Sequence, residues 1–385
     1  MAEIELAEGV AALPREGWNA LVGDESPFLE WEWLASLEEA GTLGGEAGWL
    51  PRPLVARENG RILAACPLYV KANSEGEFVF DFAWADAAQR AGIRYYPKLL
   101  VGVPFTPVTG ARFLVAPGED RALWIRRIAG VLRELCGAHG FSGAHVNFCR
   151  EPEREALEAL GFLPRIGIQY HWHNAGFAGF DAWLDALRSK RRNQVRRERE
   201  SVRAEGIRIE ALAGDAIPDA LFEAMYRCYA ANVDAHYYGR RYLNARFFEL
   251  LRERFRDRLC FVVATRGDEV VGGTTNVRKG DALYGRYWGA LAPVRYLHFE
   301  VCYYAAIEWC IEHGIARFEP GAGGDQKLLR GFDPQPTTSL HWLADARLAR
   351  AIARHLDAER EQAAHALGAL RGVSALKATR AGAPR

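Results

Sequence analysis

The segment FEPGAGGDQKLLRGF (residues 318–332) combines a carboxylate, a glycine-rich turn and two cations, all of which can take part in chemistry. Glu319 ends an apolar stretch that predicts a strand, and a short basic helix should follow the turn. The glycines and cations are Gly321, Gly323, Gly324, Lys327 and Arg330. Glycine lets a backbone approach a ligand closely, and amides at the start of a helix attract negative groups. We therefore expect the turn to receive an anionic or carbonyl oxygen; an ordinary turn with no ligand is the alternative.

Neither of two common nucleotide-binding motifs occurs in the sequence. Residues 318–332 lack the Gly-Lys pair and the hydroxyl of a P-loop. No G-x-G-x-x-G opens a helix after the first strand, so a dinucleotide-binding fold has no support. The seven cysteines are scattered without a C-x-x-C pair, which favours buried reduced thiols and predicts no metal site.

A strongly basic run, LRSKRRNQVRRERE (187–200), predicts a surface that binds a polyanion. The arginines that we expect to contact it are Arg191, Arg192, Arg196 and Arg197. The chain as a whole has 49 basic and 49 acidic residues, so any attraction to nucleic acid must come from such a local patch, and no DNA partner is expected. A solvated helix with internal ion pairs is the alternative.

Length and hydropathy limit the class of protein. A chain of 385 residues with 49% apolar residues is too long for one core, which predicts two domains. The amino-terminal sequence MAEIELAEGV is acidic, and no apolar run approaches the length of a membrane span. We expect a cytoplasmic protein that does not insert into a membrane.

The two halves of the sequence repeat one another. Each half is predicted to contain a strand hairpin, a central helix, a further strand, a short helix and a closing strand that ends in His-Trp, which makes a mixed α/β unit. The aligned segments are 55–65 with 263–273, 136–141 with 310–315, and 161–172 with 331–342. The fold class predicted is therefore α/β, with two tandem mixed-sheet units, a long basic helix between them and a C-terminal helix.

The domain boundaries follow from the repeat. The first unit is expected at 1–174, ending near the small-residue segment NAGFAGF. The second unit is expected at 175–344 and opens with the basic helix, 181–204. Residues 345–385 should form a C-terminal helix and a frayed tail.

Differences between the two copies point to the functional half. His171 and His341 occupy equivalent places, so duplicated packing is the better explanation for them than a metal site. Lys327 and Arg330 align with leucines in the first copy, so cations are present in the second copy only. This asymmetry indicates a scaffold in the first copy and a ligand site in the second, although exposed cations without a ligand would give the same pattern.

Four long motifs resemble the FemAB-like group, the peptidoglycan biosynthesis and recognition family of the GNAT acyltransferase superfamily. They are RAGIRYYPKLLVGVPFTPVTG (90–110), SKRRNQVRRERESV (189–202), YGRYWGA (284–290) and RFEPGAGGDQKLLRGFDPQPTTSLHW (317–342). The resemblance covers nearly the whole chain and implies two GNAT-like units in tandem. Similar Fem ligases move an amino acid from aminoacyl-tRNA to an amine of a lipid-linked or UDP-linked peptidoglycan precursor.

Transfer to an amine requires a base, because the amine must be neutral to attack, and donors for the oxyanion that forms. Under this resemblance Glu319 is the expected base or amine anchor, and Lys327 and Arg330 hold the oxyanion or a phosphate. The remaining candidates for substrate contact in the second half are Arg286, His298 and Glu300; the last two are also ordinary helix-start residues. Those in the first half are Arg94, Tyr95 and Lys98, which suit a nucleotide or sugar head group, with a structural crossover as the alternative.

The acyl donor is the least specified part of the resemblance. The segment APVRYLHFE (292–300), before the second central helix, lacks the glycines of the usual coenzyme A loop. This favours aminoacyl-tRNA as the donor over an acyl-CoA, with the basic helix as a resting place for tRNA phosphates. An acyl-CoA N-acyltransferase of unrelated substrate and a peptidoglycan-precursor binding protein without catalysis are the alternatives.

Overall fold

The computed structural model describes residues 2–236 and 239–377. The chain forms two compact units, and the division between them falls within single strands and helices. The first unit is built from residues up to Ile168, from Tyr242–Phe255 and from Pro336–His365, and the second from Gln169–Arg241, Arg256–Gln335 and the chain from Ala366 onward. The boundaries expected from the repeat, 1–174, 175–344 and 345–385, stay a prediction, and residues 378–385 of the expected frayed tail lie outside the described residues.

Fifteen strands occur among the described residues. They are β1 (Glu3–Leu6), β2 (Trp49–Pro51), β3 (Leu54–Glu58), β4 (Arg61–Cys66), β5 (Leu68–Lys71), β6 (Lys98–Val101), β7 (Leu114–Val115), β8 (Gly143–Val146), β9 (Leu163–His173), β10 (Ile207–Ala213), β11 (Leu259–Arg266), β12 (Glu269–Lys279), β13 (Ala282–Ala290), β14 (Arg317–Glu319) and β15 (Asp333–Leu343).

Twelve α-helices occur among the described residues, interspersed with these strands. They are α1 (Arg15–Val22), α2 (Trp31–Glu39), α3 (Phe82–Arg90), α4 (Arg121–His139), α5 (Glu151–Glu158), α6 (Phe180–Ala186), α7 (Ser189–Ala204), α8 (Ala220–Asp234), α9 (Ala245–Arg254), α10 (Leu297–Phe299), α11 (Ala305–Glu312) and α12 (Ala346–Gly372). A π-helical segment, Glu300–Tyr304, joins α10 to α11. Short 3-10 turns lie at Pro27–Leu29, Gly214–Ala216, Arg256–Arg258 and Asp325–Arg330.

The first unit contains two sheets. One has the strand order β1-β3-β4-β7, and in the other β8 lies between β15 and β6, followed by β5 and β2. β6 and β8 run parallel, whereas β3 pairs antiparallel with β1 and β4, β4 with β7, β5 with β2 and β6, and β8 with β15. The apolar face of α4, with Trp124, Ile128 and Leu132, packs into the core against these strands.

The second unit contains one mixed sheet with the order β10-β11-β12-β13-β14-β9. Its single parallel pair is β13 with β14, and only three residues of β13, Ala282 to Tyr284, pair with Arg317 to Glu319. β13 continues to Ala290 with β12 as its partner on the other side. The two parallel strands therefore separate after Tyr284 and Glu319.

The sequence repeat is confirmed down to the hydrogen-bond register of the hairpins. Val55 pairs with Ala65 in the first unit, and Val263 pairs with Gly273 in the second, at the aligned positions. Both hairpins also shift register at the same aligned step, immediately after Ala56 and after Ala264. A bulge of this kind re-aims the strand that carries it, so both units inherit the same local bend.

The sequence predicts a single basic helix over residues 181–204, and this prediction is wrong. The structure has two helices, α6 and α7, separated at Leu187 and Arg188, whose backbones are extended. Leu187 is completely buried and forms a bridge with Leu376. The helix ends there because burial of this side chain and backbone pairing with the chain near Leu376 replace the next helical turn.

All seven cysteines are free and buried, as their scattered spacing predicts. Burial raises the pKa of the thiol of Cys66 to about 12, and it raises the pKa of the other six thiols as well. Among the residues that the structure describes, no helix is both long enough and apolar enough to cross a membrane.

Candidate functional site

A cavity of about 330 Å³ opens in the second unit where β13 and β14 separate. Its walls come from β13, from the start of the central helix and from the glycine turn that follows β14. The lining residues are Thr274, Gly285, Arg286, Tyr287, Trp288, His298, Cys302, Tyr303, Pro320, Gly321, Ala322, Gly323, Gly324 and Lys327. Six of the residues predicted from sequence thus meet at one cavity: Arg286, His298, Gly321, Gly323, Gly324 and Lys327.

The glycine turn presents carbonyl groups to a cation, whereas the sequence predicts amides that face an anion. The ammonium of Lys327 donates to the carbonyl oxygens of Gly321 at 2.6 Å, Ala322 at 3.2 Å and Gly323 at 2.5 Å. Gly321, Gly323 and Gly324 all have positive φ, a conformation that side chains disfavour. All three ammonium hydrogens of Lys327 are therefore used within the turn.

Lys327 is itself almost fully enclosed. Lys327 is only 3% exposed, and burial lowers the pKa of its ammonium group to about 8. The ammonium form still predominates at pH 7. The cation at the edge of the cavity consequently fastens the turn in place and gives a positive charge to that wall of the site.

Glu319 stands at the point where β14 ends, one residue before Pro320 of the cavity wall. It is 5% exposed, and burial raises its pKa to about 7 although Arg317 and Arg286 oppose the shift. Its Oε1 lies 3.1 Å from Nε of Arg317, and its Oε2 lies 3.6 Å from Nε2 of His171. Among the described residues neither that Oε2 nor that Nε2 has a hydrogen-bond partner.

His171 is a candidate functional residue that the sequence does not predict, because its place in the repeat favours duplicated packing. Burial lowers its pKa to about 3, so its imidazole is neutral. The register places Trp172 opposite Phe318, which brings the preceding residue, His171, beside Glu319. The sequence repeat could have revealed this contact. In the first unit His341 pairs with His145, and the equivalent pairing in the second unit places His171 opposite Glu319.

His298 and Arg286 lie on two other walls of the same cavity. The ring of His298 is 4.5 Å from that of Trp288 and 5.2 Å from that of Tyr303. Burial lowers the pKa of His298 to about 4, so this imidazole is also neutral. Arg286 adds a charge that lowers the pKa of Glu319, opposing the effect of burial.

Arg330 is not among the residues that line the cavity. Its guanidinium is buried, lies 2.9 Å and 3.0 Å from the two carboxylate oxygens of Glu198, and donates to the hydroxyl of Tyr304 at 2.8 Å. It also stacks 3.4 Å above the ring of Phe299. The sequence predicts that Arg330 holds the same ligand as Lys327, but the structure commits this guanidinium to a buried ion pair inside the unit.

Glu300 lies outside the cavity for a similar reason. Its carboxylate is buried and pairs with Arg199 at 3.0 Å. Arg199 comes from the basic helix α7 and also pairs with Glu308 at 2.6 Å. These contacts hold α7 against the central helix and give the carboxylate of Glu300 a counter-charge at Oε1, while its Oε2 is buried without a hydrogen-bond partner among the described residues.

Of the three first-unit candidates, Tyr95 and Lys98 belong to a buried polar network, whereas Arg94 is exposed. Lys98 is completely buried and donates to Asp81 at 2.5 Å and to Glu77 at 2.9 Å. The hydroxyl of Tyr95 donates to Asp81 at 2.6 Å, and Arg94 donates to the carbonyl of Gly140 at 2.6 Å. The sequence predicts head-group contacts here, whereas the structure shows Tyr95 and Lys98 satisfied by protein groups.

The four arginines expected to bind a polyanion fall into two classes on α7. Arg191 and Arg192 are half-buried, the first donating to Gln194 and the second pairing with Asp185. Arg196 and Arg197 are exposed and make no ion pair among the described residues. These two are therefore the members of the set that a phosphate backbone can reach. No cluster of His, Cys, Asp and Glu that could hold a metal ion occurs within 2–236 and 239–377.

The comparison with known families decides where this chain belongs. Its sequence matches the family described as peptidoglycan biosynthesis/recognition, FemAB-like, over residues 9–378. The chain belongs to the FemAB-like family. This confirms the resemblance that its motifs indicate. A search of curated proteins finds no match.

Solved structures show the same fold as this FemAB-like chain. FemX is 11% identical, with a TM-score of 0.54 over 89% of this chain and 98% of FemX. L-PGS from Bacillus licheniformis is 9% identical, with a TM-score of 0.52 over 89% of this chain and 96% of L-PGS. A conserved protein of unknown function from Bacteroides thetaiotaomicron is 11% identical, with a TM-score of 0.53 over 89% of this chain and all of that one. The predicted α/β architecture of two mixed-sheet units is confirmed.

Proposed function

We propose that this FemAB-like protein is an N-acyltransferase and that the cavity between β13 and β14 is its transfer site. The group transferred is an aminoacyl or acyl group, and the acceptor is an amine of a peptidoglycan-precursor-like substrate. The observation that carries the proposal is Glu319, a buried carboxylate with a pKa near 7, next in sequence to Pro320 in the wall of a cavity that the buried Lys327 also lines.

Glu319 is suited to remove the proton of an attacking amine. A general base works best when its pKa lies near the working pH, because it is then both deprotonated and basic enough to accept a proton. Its Oε2 is buried and has no hydrogen-bond partner among the described residues, so its capacity to accept a proton is not used by the protein. The nearby imidazole of His171 is neutral, so it carries no positive charge that would make the carboxylate less basic.

The separation of the parallel strands suits an extended substrate. The strand pairing of β13 with β14 ends at Tyr284, and the next residues of β13, Gly285 to Trp288, line the cavity. Backbone groups at an open edge bind extended chains by main-chain hydrogen bonds. Gly285 fits this use, because a Cβ there would lie 3.1 Å from the Cα of Pro320 and narrow the gap.

Aminoacyl-tRNA is the donor that the second unit favours. In the segment before the central helix, the amide of Arg295 donates to the carboxylate of Glu205 at 3.3 Å. This amide is therefore already occupied by a carboxylate, which also pairs with Arg266 at 3.5 Å, and is not free to bind the pyrophosphate of a coenzyme A. The exposed cations Arg196 and Arg197 on α7 instead offer a surface for tRNA phosphates.

A transfer assay with two donors tests the proposal. The protein is incubated with a UDP-linked precursor pentapeptide and either a mixture of labelled aminoacyl-tRNAs or labelled acetyl-CoA, and the product is read by mass. We expect one amino-acid residue to be added from tRNA, and Glu319→Gln to lower kcat by about 100-fold. The matched control Glu312→Gln, an exposed carboxylate on α11, should retain full activity.

Each other outcome contradicts a stated part of the proposal. Transfer from acetyl-CoA alone would refute the tRNA donor and leave the N-acyltransferase. Full activity of Glu319→Gln would refute the assignment of Glu319 as the general base. Precursor binding by the parent protein without transfer from either donor would show a binding protein and refute the enzyme.

A further inference from the structure

A second, smaller cavity of about 130 Å³ lies in the first unit. It is bounded by the loop before α3, by β9, by β15 and by α12, with Phe80, Arg165, Thr337, Ser339 and Glu359 among its lining. One water molecule needs about 10 to 15 Å³ of such volume, so the space holds about ten waters or one small ring. It takes a single group of a longer ligand, not a whole nucleotide.

Hydroxyl groups form the polar floor of this cavity. Thr337 is 7% exposed, and its hydroxyl makes no hydrogen bond among the described residues although the residue lines the cavity. Ser339 is held on the same face of β15, with its Oγ 2.9 Å from Nε2 of His341. Gly167 of β9 leaves room for the threonine, because a Cβ there would lie 2.7 Å from Oγ1 of Thr337. A nearly buried hydroxyl without a protein partner is a group that a ligand can satisfy.

The charges on the wall of the cavity cancel one another. Arg165 and Glu359 form a two-point ion pair, with Nη2 to Oε1 at 2.8 Å and Nε to Oε2 at 3.0 Å. Nη1 of Arg165 donates to the carbonyl of Phe80 at 3.0 Å, and its guanidinium stacks 4.9 Å from the ring of Trp84. Such a wall offers no net charge to a phosphate or a carboxylate. It does offer donors and acceptors to neighbouring hydroxyl or amide groups.

The rim carries the most exposed aromatic side chain identified in the fold. Phe80 is 69% exposed and Phe82 is 52% exposed, and their rings lie 6.5 Å apart with 27° between their planes. Aromatic faces are negative and attract the positive C–H edges of a flat apolar surface. One face of a pyranose ring presents such C–H groups, while its edge presents hydroxyls.

We propose that this cavity and its phenylalanine rim form a binding site for an uncharged pyranose of a glycan. The sugar ring stacks on Phe80 and its hydroxyls reach Thr337, Ser339 and the Arg165–Glu359 pair. The site is separate from the transfer cavity of the second unit and stands without the proposed enzymatic activity, because sugar binding needs no acyl donor.

Saturation-transfer NMR on the full chain tests this site. The probes are N-acetylglucosamine and, as a neutral peptide of similar size, the blocked dipeptide acetyl-Ala-Ala-amide. We expect saturation transfer to the sugar and weaker transfer to the dipeptide. Phe80→Ser and Thr337→Val should each weaken sugar binding by about fivefold or more, since each removes one contact worth about 1 kcal/mol. Leu50→Ser, an exposed apolar residue elsewhere in this unit, is the matched control and should bind as the parent does.

The variants are chosen so that folding does not decide the answer. Phe80 is exposed and its ring contacts only the exposed Phe82 among the ring pairs described, and the hydroxyl of Thr337 is unpaired, so circular dichroism melts of both variants should stay close to that of the parent. No sugar signal in the parent overturns the proposal. So does equal sugar binding by the parent and both variants, and so does binding of the dipeptide in place of the sugar.

Discussion

Oε2 of Glu319 lies 3.6 Å from Nε2 of His171, and at the equivalent pair of positions in the first unit Nδ1 of His145 lies 2.7 Å from Nδ1 of His341. The duplicated strand pairing therefore holds two imidazoles in one copy and a carboxylate with an imidazole in the other. Burial lowers the pKa of both imidazoles of the first pair, so that pair is uncharged. Only the second copy carries a group at this position that can exchange a proton near pH 7.

The raised pKa of Glu319 predicts a stability difference that depends on pH. Between about pH 4.5 and 7 the unfolded chain releases this proton while the folded chain keeps it, so the parent protein loses stability as the pH rises. The glutamine of the Glu319→Gln variant cannot ionise, so the stability of the variant does not fall with pH in this way. We expect the variant to be more stable than the parent by about 1 to 3 kcal/mol at pH 8, with little difference at pH 4. Urea unfolding at both pH values measures it, and an equal difference at pH 4 and pH 8 would contradict the assignment.

The three carbonyl contacts of Lys327 predict that it stabilises the glycine turn. Lys327→Met keeps the length of the side chain and removes the ammonium, so the carbonyls of Gly321, Ala322 and Gly323 lose their donor. We expect the free energy of unfolding to fall by about 1 to 3 kcal/mol and amide exchange in the turn to rise. Lys190→Met, at an exposed lysine of α7, is the control and should change neither quantity. Unchanged amide exchange at residues 321–324 would show that the turn keeps its conformation without the ammonium of Lys327.

The ion pair of Glu198 with Arg330 predicts strong coupling between two residues far apart in sequence. Removing one partner leaves a buried charge without compensation, so Glu198→Gln and Arg330→Met should each cost about 3 to 5 kcal/mol. The double variant should cost clearly less than the sum of the two, as a double-mutant cycle in urea will measure. If the double variant folds and keeps its transfer activity, Arg330 acts in folding alone. Loss of activity in a stable double variant would restore the catalytic role expected from sequence.

The exposed arginines of α7 predict a salt-dependent contact with tRNA. The logarithm of affinity should fall linearly with the logarithm of salt concentration, and Arg196→Ala combined with Arg197→Ala should make that slope shallower by about 1 to 2. Arg350→Ala combined with Arg354→Ala removes the same charge from exposed positions of α12 and is the control. Identical slopes for the two double variants would place the tRNA contact elsewhere.

Local patterns were enough to predict the fold. The hairpins, the central helices and the closing strands depend on apolar periodicity and on turn residues, which are written in the order of the sequence. The aligned pairs, Val55 with Ala65 and Val263 with Gly273, show that this information extends to strand register.

The details of the site depend on contacts that the local sequence does not contain. Glu198 and Arg330 are 132 positions apart, and nothing near Arg330 marks it as the partner of that carboxylate. The direction of the carbonyls around Lys327 depends on backbone angles that glycine permits but does not dictate. The break at Leu187 depends on burial and on pairing with Leu376, which belongs to the far end of the chain.

The buried thiols give the molecule a built-in set of reporters. Three of them, Cys66, Cys136 and Cys149, belong to the first unit, and the other four belong to the second. A protonated thiol shielded from solvent reacts with a maleimide only when the surrounding structure opens. The rate at which each group of cysteines is alkylated in native buffer will therefore time the transient opening of each half separately, without any engineered label.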